Sequence, residues 1–308
     1  MGAPALVILA AGVGSRYGGS KQIEPLGPAG ATLLDYSIYD AVRAGFGTVV
    51  LVIRDELEAA VRATIGARWG GGGGGRPALV YARQRLDDVP AGSAVPSGRS
   101  KPWGTGHAVL AAASQVRGPF AVVNADDFYG RDAFTRAAEF LVAGHAGEAS
   151  GTFANIAYPL RNTLSAAGGV NRAVVCADGD GWLETVEEIV EIRRLGSGAY
   201  EGIDPRGRPV QLAADALVSM NLWAFTPVVF DLLRRGFAEF LRQADAERSE
   251  FLISQGIREA VRRGEARVRL LDTRGRWLGM TYPDDRPRVE EALRQLVAAG
   301  EYPERLWG

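Results

Sequence analysis

The segment Leu9-Ala10-Ala11-Gly12-Val13-Gly14-Ser15-Arg16-Tyr17-Gly18-Gly19-Ser20-Lys21 follows an apolar run and sets Gly12, Gly14 and Gly18 beside two cations. Glycines let the backbone approach a ligand closely, and the amides of such a loop can cradle phosphates. The spacing alone is also compatible with a dinucleotide loop. Three features count against that reading. Arg16 and Lys21 crowd the loop with positive charge. Pro25, Gly27 and Pro28 prevent a long helix from following directly. No acidic residue ends a second strand about twenty residues on, where a ribose partner belongs. Two cations on a glycine loop suit a triphosphate better than a bridging diphosphate. Further along, Asp126-Asp127 follow the apolar run 120–124. Carboxylates at a strand's end near a phosphate loop suit Mg²⁺, which takes oxygen ligands and keeps several waters. For Asp127 a cap on the next turn is the competing reading.

Lysine and arginine total 35, yet Lys21 and Lys101 are the only lysines. Arginine serves everywhere else, so these two mark places where a compact point charge is wanted rather than a planar fork. Net charge is -1, which gives no broad attraction to nucleic acid or to a membrane surface. The single cysteine, Cys176, excludes an intramolecular disulfide or a cysteine zinc site and fits a reducing compartment. It lies in an apolar run and is expected to be a small buried core residue. No apolar run approaches a membrane span. The run 6–11 lacks a preceding basic segment, so no signal peptide is expected, and Met1-Gly2 lacks the residue pattern of a myristoylation site. A cytoplasmic location is the expectation.

These groups need elements to position them, and the first half supplies an alternation. Apolar runs at 5–10, 48–53, 78–82 and 120–124 predict buried strands. Helical periodicity appears at 33–44, closed by Gly45, and at 56–65, 105–114 and 131–143. Strands separated by helices imply βαβ units and a mainly parallel sheet. Ligands of such sheets bind at the strands' carboxyl ends, where both the glycine loop and Asp126 fall. The six-glycine run at 70–75 predicts a surface loop without chemistry, and 87–102, rich in Pro, Gly and Ser, a loop over the site. The second half reads differently, with strands at 151–158, 170–177, 183–193 and 217–225, helices at 227–235 and 250–263, a strand at 267–272 and a helix at 285–299. The expected class is α/β: a Rossmann-like mixed, mainly parallel central sheet flanked by helices. One domain over 1–308 is expected, with a nucleotide-binding half at 1–145 and an acceptor-binding half at 146–308.

The stretch from Leu9 to Lys21 resembles the signature of nucleotidyltransferases that include the sugar-1-phosphate nucleotidylyltransferases. That resemblance implies transfer of a nucleotide to a phosphorylated acceptor with release of pyrophosphate. It implies that Leu9, Ala10, Ala11, Gly12, Gly14 and Ser15 hold the nucleotide while Arg16 and Lys21 bind phosphate. The compact gap from Arg16 to Lys21 is closer to cytidylyl- and molybdenum-cofactor nucleotidyltransferases than to the usual sugar enzymes. Lys101-Pro102-Trp103-Gly104-Thr105-Gly106-His107-Ala108 is similar to the Gly-Thr element of uridylyltransferases acting on hexosamine phosphates. There the Gly-Thr backbone, here Gly104 and Thr105, lies by the base, and a preceding glutamine, here Gln84, reads its edge. Gly104 permits close approach to a flat ring, and Thr105 is placed to cap the helix that follows. His107 is expected to be structural. The same resemblance makes Asp126 and Asn221 the Mg²⁺ ligands; a buried, hydrogen-bonded core amide is the plainer reading of Asn221. It assigns Gly169, in Gly168-Gly169-Val170-Asn171-Arg172, and Glu188 to the acceptor, with Lys101 beside them. A solvent-facing strand edge is the plainer reading of Glu188. Asp285 resembles an acid that caps the last helix.

The implied reaction is in-line attack by an acceptor phosphate oxygen on the α-phosphorus of a nucleoside triphosphate. A phosphate is already anionic near neutral pH and needs no general base, so alignment and charge neutralisation carry the catalysis. The expected partners are a nucleoside triphosphate and a phosphorylated small molecule, in sugar nucleotide synthesis, without nucleic acid or membrane. The oligomeric state stays open. Three rivals remain: a cytidylyltransferase acting on a non-sugar alcohol phosphate, a GT-A glycosyltransferase using a nucleotide sugar, and a non-catalytic nucleotide sensor.

Overall fold

The computed structural model describes residues 2–12, 21–71, 74–143, 151–243 and 247–307. Four apolar runs form the parallel core: β1 (Ala5–Leu9), β2 (Thr48–Ile53), β3 (Ala78–Arg83) and β4 (Phe120–Asn124). They lie side by side in the order β4-β1-β2-β3. β1 pairs in parallel register with both β2 and β4, which sets Leu9 opposite Asn124. β1, β2 and β4 are buried on both faces, which is why they read as continuous hydrophobic runs rather than alternating ones, while β3 at the sheet edge is only partly covered. Leu6, Ile8, Val49 and Leu51 join one core cluster, and Val7, Leu9, Val50 and Val52 join the other. The first cluster is covered by the helices Leu33–Arg43, Arg131–Val142 and Arg286–Ala298. The second is covered by Thr105–Ala111, Val228–Phe240 and Ile253–Arg262. Three layers result, with the sheet in the middle.

β5 (Asp127–Phe128) follows β4 as a short strand outside the main sheet. The second half adds β6 (Thr152–Pro159), β7 (Val170–Ala177), β8 (Leu183–Arg194), β9 (Tyr200–Ile203), β10 (Pro209–Leu212), β11 (Leu217–Phe225), β12 (Arg267–Asp272) and β13 (Leu278–Gly279). β11 pairs antiparallel with β4 and carries the sheet on through β7, β8, β9 and β10, while β12 runs parallel to β6. Strands of both halves therefore form one eleven-stranded sheet. No helix among the described residues is long and apolar enough to cross a membrane.

Several local details depart from expectation. The helix foreseen at 56–65 starts as a tight turn and continues through a π-helical turn, Arg62–Gly66, to Trp69. That extension brings Trp69 and Arg68 to Asp35, which also closes a capping box with Thr32 at the start of the helix Leu33–Arg43. Gly45 ends that helix with φ of +94°, as its composition suggests. The hairpin of β9 and β10 was not foreseen, because its strands are short and only weakly alternating. Cys176 is exposed rather than buried. The run Val174-Val175-Cys176 is apolar, but β7 alternates here, and Val175 takes the core side while Cys176 points away.

The C-terminal segment folds back over the first core cluster. Tyr302 donates to Asp40 at 2.6 Å, and its ring packs against Tyr36 and against Phe128, the neighbour of Asp127. Burial pushes the Asp40 carboxyl up to about 7, with the Tyr302 hydrogen bond opposing the shift. An unfolded aspartate ionises near about 4. Between those values the folded chain holds a proton that the unfolded chain has lost, so this group makes stability fall as pH rises. Asp40→Asn should therefore gain at least about 1 kcal/mol on the wild type between about pH 5 and about pH 8 in urea unfolding. An unchanged stability difference at the two pH values would contradict it.

Candidate nucleotide and acceptor site

A cavity of about 620 Å³ opens where β1 and β4 end. It lies at the point where the strand order reverses around β1, the position at which open α/β sheets bind ligands. Leu9, Ala11 and Gly12 reach it from β1, and Asp126 from the turn after β4. Gln84, Lys101, Gly104 and Thr105 line it from the same half, and Glu188 and Asn221 from the second half. Residues assigned separately to nucleotide, metal and acceptor thus share one space. Two assigned residues do not join them. Ala10 is fully buried in the first core cluster, with its amide bonded to Val52. Gly169 lies outside the lining; it accepts a 2.6 Å hydrogen bond from Tyr282, and a Cβ there would meet Glu191. Asn171 and Arg172, just after it, do line the cavity. Gly14, Ser15 and Arg16 fall outside the described residues, as does the side chain of Lys21.

The start of the glycine loop is tied to its far end by Gln22, whose side-chain amide donates to the Gly12 carbonyl at 2.7 Å. Asn221 owes its position to a bulge. Along one edge β11 pairs with β6, Ser219 opposite Ala157 and Trp223 opposite Asn155, so the intervening residues are pushed out of the ladder. Along the other edge β11 pairs with β7 up to Ser219 and with β4 from Trp223. Asn221 sits in that gap at φ of +61°, a conformation Asn tolerates better than most residues. The fully buried amide of this region is Asn155, which donates to Ser219 Oγ at 2.8 Å and Leu222 O at 3.1 Å and so holds the bulge. Asn221 is only half-buried, and a core-amide reading does not describe it.

Tyr129 joins the two sides of this gap. Its buried hydroxyl accepts from the Asn124 amide at 2.9 Å, donates to the Met220 carbonyl at 2.8 Å and lies 3.3 Å from Asp127 Oδ2. Asp127 is buried and also accepts from Asn124 Nδ2 at 2.9 Å. Its strand β5 pairs with β13, Gly279 opposite Asp127. The turn carrying Asp126 is therefore fixed from three directions. Nothing in the sequence marked Tyr129, because one of its partners is 91 positions away.

Gly104 is required as glycine: its φ is +101°, and a Cβ would lie 2.7 Å from the Phe251 carbonyl. Thr105 does cap a helix, but not the one it begins. Its hydroxyl accepts from the Ile253 amide at 3.1 Å, at the start of Ile253–Arg262. Backbone bonds from Phe251 to Trp103 and from Gly106 to Phe251 complete this junction. Arg99, also unforeseen, clasps it from the loop 87–102. Its guanidinium donates to Ser249 O at 2.8 Å, Glu247 O at 3.2 Å and Pro102 O at 2.6 Å, and lies 4.0 Å from the Trp103 ring centre. His107 is structural, as expected. Nε2 donates to the Asp88 carbonyl at 2.8 Å, Nδ1 accepts from Gln84 at 3.1 Å, and burial lowers its pKa. Gln84 also donates to the Gly104 carbonyl at 3.1 Å.

On the acceptor side, Glu188 faces the cavity while Glu187 is exposed, so a solvent-facing edge describes Glu187 alone. Burial raises the Glu188 pKa; the 2.9 Å hydrogen bond from Ser254 and the charge of Arg172 oppose the shift. Burial lowers the Arg172 pKa to about 10, with Asp127, Glu188 and Asp285 opposing it. Asp285 accepts from the Thr281 and Tyr282 amides at 3.1 and 2.9 Å, fixing the turn that leads into the last helix.

No three His, Cys, Asp or Glu side chains gather as a metal cage among the described residues. A carboxylate, Asp126, and an amide, Asn221, both line the cavity, and oxygen donors of this kind suit Mg²⁺, an ion that completes its shell with water and phosphate oxygens.

Residues 6–128 match the family model of the MobA-like NTP transferase domain. The inositol-1-phosphate CTP transferase from T. maritima has a similar structure, with a TM-score of 0.61 at 12% identity over 96% of this chain and 97% of that one. UDP-glucose pyrophosphorylase, complexed with UDP-glucose, is similar with a TM-score of 0.62 at 15% identity over 95% of this chain and 99% of that one. No curated protein matches the chain. The family match thus covers the first half of the chain, and the likeness to solved structures shows the fold along nearly its whole length.

Tyr129→Phe should leave the Asn124 amide and the Met220 carbonyl without this partner. Unfolding measurements should show a loss of about 1–3 kcal/mol. Undiminished stability would contradict the role given to the hydroxyl.

Proposed function

We propose that this nucleotidyltransferase fold transfers a nucleoside monophosphate from a nucleoside triphosphate to a sugar-1-phosphate or related alcohol phosphate, releasing pyrophosphate in a Mg²⁺-dependent reaction. The observation that carries this reading is that nucleotide-side residues of 1–145 and acceptor-side residues of 146–308 line one cavity. A phosphate oxygen of the acceptor attacks the α-phosphorus in line, the new O–P bond forms, and the bond to the β-phosphate oxygen breaks. The nucleophile is already an anion, so no proton has to be removed. This agrees with His107, which is buried and engaged at both ring nitrogens.

The loop from Gly12 holds the triphosphate through close backbone approach. Arg16 and Lys21 neutralise the charge that builds on the departing pyrophosphate. The Gln84 amide nitrogen is engaged by Gly104 and His107, which leaves its oxygen to accept an N–H from the base. Asp126 and Asn221 would hold Mg²⁺, which when bound draws negative charge from the α-phosphate. Glu188 accepts from acceptor hydroxyls, Lys101 lies at the cavity beside the nucleotide half, and Gly169 acts from behind by letting the chain pass close to Glu191. A cytoplasmic enzyme of sugar nucleotide synthesis is the setting this chemistry fits.

A pyrophosphate-release screen tests the proposal, crossing the nucleoside triphosphates with sugar-1-phosphates and alcohol phosphates in the presence of Mg²⁺. At least one pair should turn over, Asp126→Ala should lose about 100-fold or more, and Lys21→Arg about tenfold or more despite its retained charge. Silence across the panel would refute the activity, and full activity of Lys21→Arg would refute the role of the lysine. Transfer from a nucleotide sugar without pyrophosphate would mark a glycosyltransferase.

A further inference from the structure

A second cleft, of about 570 Å³, shares Trp277 with the nucleotide cavity. Four arginines reach it from three segments of chain. Arg161 comes from the turn after β6, Arg274 and Arg276 from the connection between β12 and β13, and Arg288 from the last helix. Among the described residues, the guanidiniums of Arg161, Arg274 and Arg276 have no carboxylate partner, and Arg288 has Asp285 at 3.8 Å. The acid lining the cleft, Glu291, is engaged with Arg294 at 2.7 Å and with Gln295 at 2.9 Å. This sets the cleft apart from surfaces where arginines are neutralised in place, such as Arg62 and Arg83 on Glu58 or Arg263 on Glu239.

Four guanidiniums lining one cleft repel one another, and an anion with several charges relieves that repulsion. The planar fork of arginine matches phosphate oxygens, and the cleft has the size of a small-molecule site. Its wall holds a further unsatisfied group: the Trp277 indole nitrogen is buried without a hydrogen-bond partner among the described residues. We propose that this four-arginine cleft is a second ligand site, which binds a small molecule bearing phosphate groups.

The cleft is joined to the catalytic side by the chain itself. Arg274 and Arg276 lie directly before Trp277, which is followed by Leu278 and Gly279, the residues paired with Phe128 and Asp127. The Arg274 amide and the Thr273 hydroxyl are both bonded to Asp132, at 3.0 and 2.7 Å, at the start of the helix that follows Tyr129. A ligand that draws Arg274 and Arg276 together therefore acts on the segment that borders the Asp126 turn.

Calorimetric titration of the full chain with inorganic pyrophosphate, at low salt and without divalent metal, tests the site. Inorganic phosphate and a sugar phosphate serve as parallel arms that identify the preferred source of the charge. Arg16→Ala should keep an anion-binding event, whereas Arg274→Ala/Arg276→Ala should weaken one event at least tenfold. Both cleft side chains are exposed, so the double variant should melt like the wild type. Binding should also alter tryptophan fluorescence, and Trp277→Phe should remove that change. If the double variant titrates as the wild type does, the cleft is not a ligand site. If no anion binds there and the double substitution instead dissociates a dimer in size-exclusion chromatography, the arginines serve an interface between copies and the proposal fails.

Discussion

The end of β4 and the bulge of β11 are held together by one buried hydroxyl, that of Tyr129, and the geometry of the cavity depends on this joint. β11 changes partners between Ser219 and Trp223, leaving β7 and joining β4. A strand that changes partners leaves backbone groups without a ladder, and buried backbone groups must find partners elsewhere. Tyr129 serves Asn124 and Met220 across the gap, and Asn155 serves Ser219 and Leu222 from beneath. The result is an opening in the sheet, with Asp126 on one lip and Asn221 on the other. The two proposed metal ligands are thereby carried on a pinned turn and a braced bulge rather than on free loops, the arrangement that a reaction relying on alignment would require.

Charge around the cavity is arranged against this frame. The described lining includes Asp126, Asp127, Glu188 and Glu250 against Lys101 and Arg172, so these residues alone do not favour a triphosphate. In the proposed reaction Arg16, Lys21 and a divalent metal would supply the positive charge such a ligand needs. Arg172 illustrates the constraint from the other direction. It is buried, its pKa is pulled down, and Asp127, Glu188 and Asp285 keep it charged. Its guanidinium also donates to the Asn171 carbonyl at 2.8 Å and to the Thr163 carbonyl, fixing it as part of the wall.

Much of this was legible in the sequence because it is local. Apolar runs flanked by turn residues predict β1, β2, β3 and β4, and parallel pairing then places Gly12 and Asp126 at the same end without further information. A polar residue inside an apolar strand points to Asn221, which lines the cavity, although the bulge that exposes it depends on Asn155, far away in sequence. What stayed hidden is long-range. Thr105 carries a capping signature, but the amide it caps belongs to Ile253, and Arg99 acts on carbonyls about 150 positions away. Cys176 was misread because an apolar run does not tell which face of an antiparallel strand is covered. Gly169 lies in a suggestive glycine pair, yet its small size serves the passage of the chain beside Glu191.

The proposed reaction breaks the bond between the α- and β-phosphates of the nucleotide. Position-specific labelling measures this directly. With a nucleoside triphosphate labelled at the α-phosphate, the label should appear in the acceptor product, and with a γ-label it should appear in pyrophosphate. A γ-label recovered in the acceptor, or an acceptor product formed with neither label transferred, would contradict the central claim.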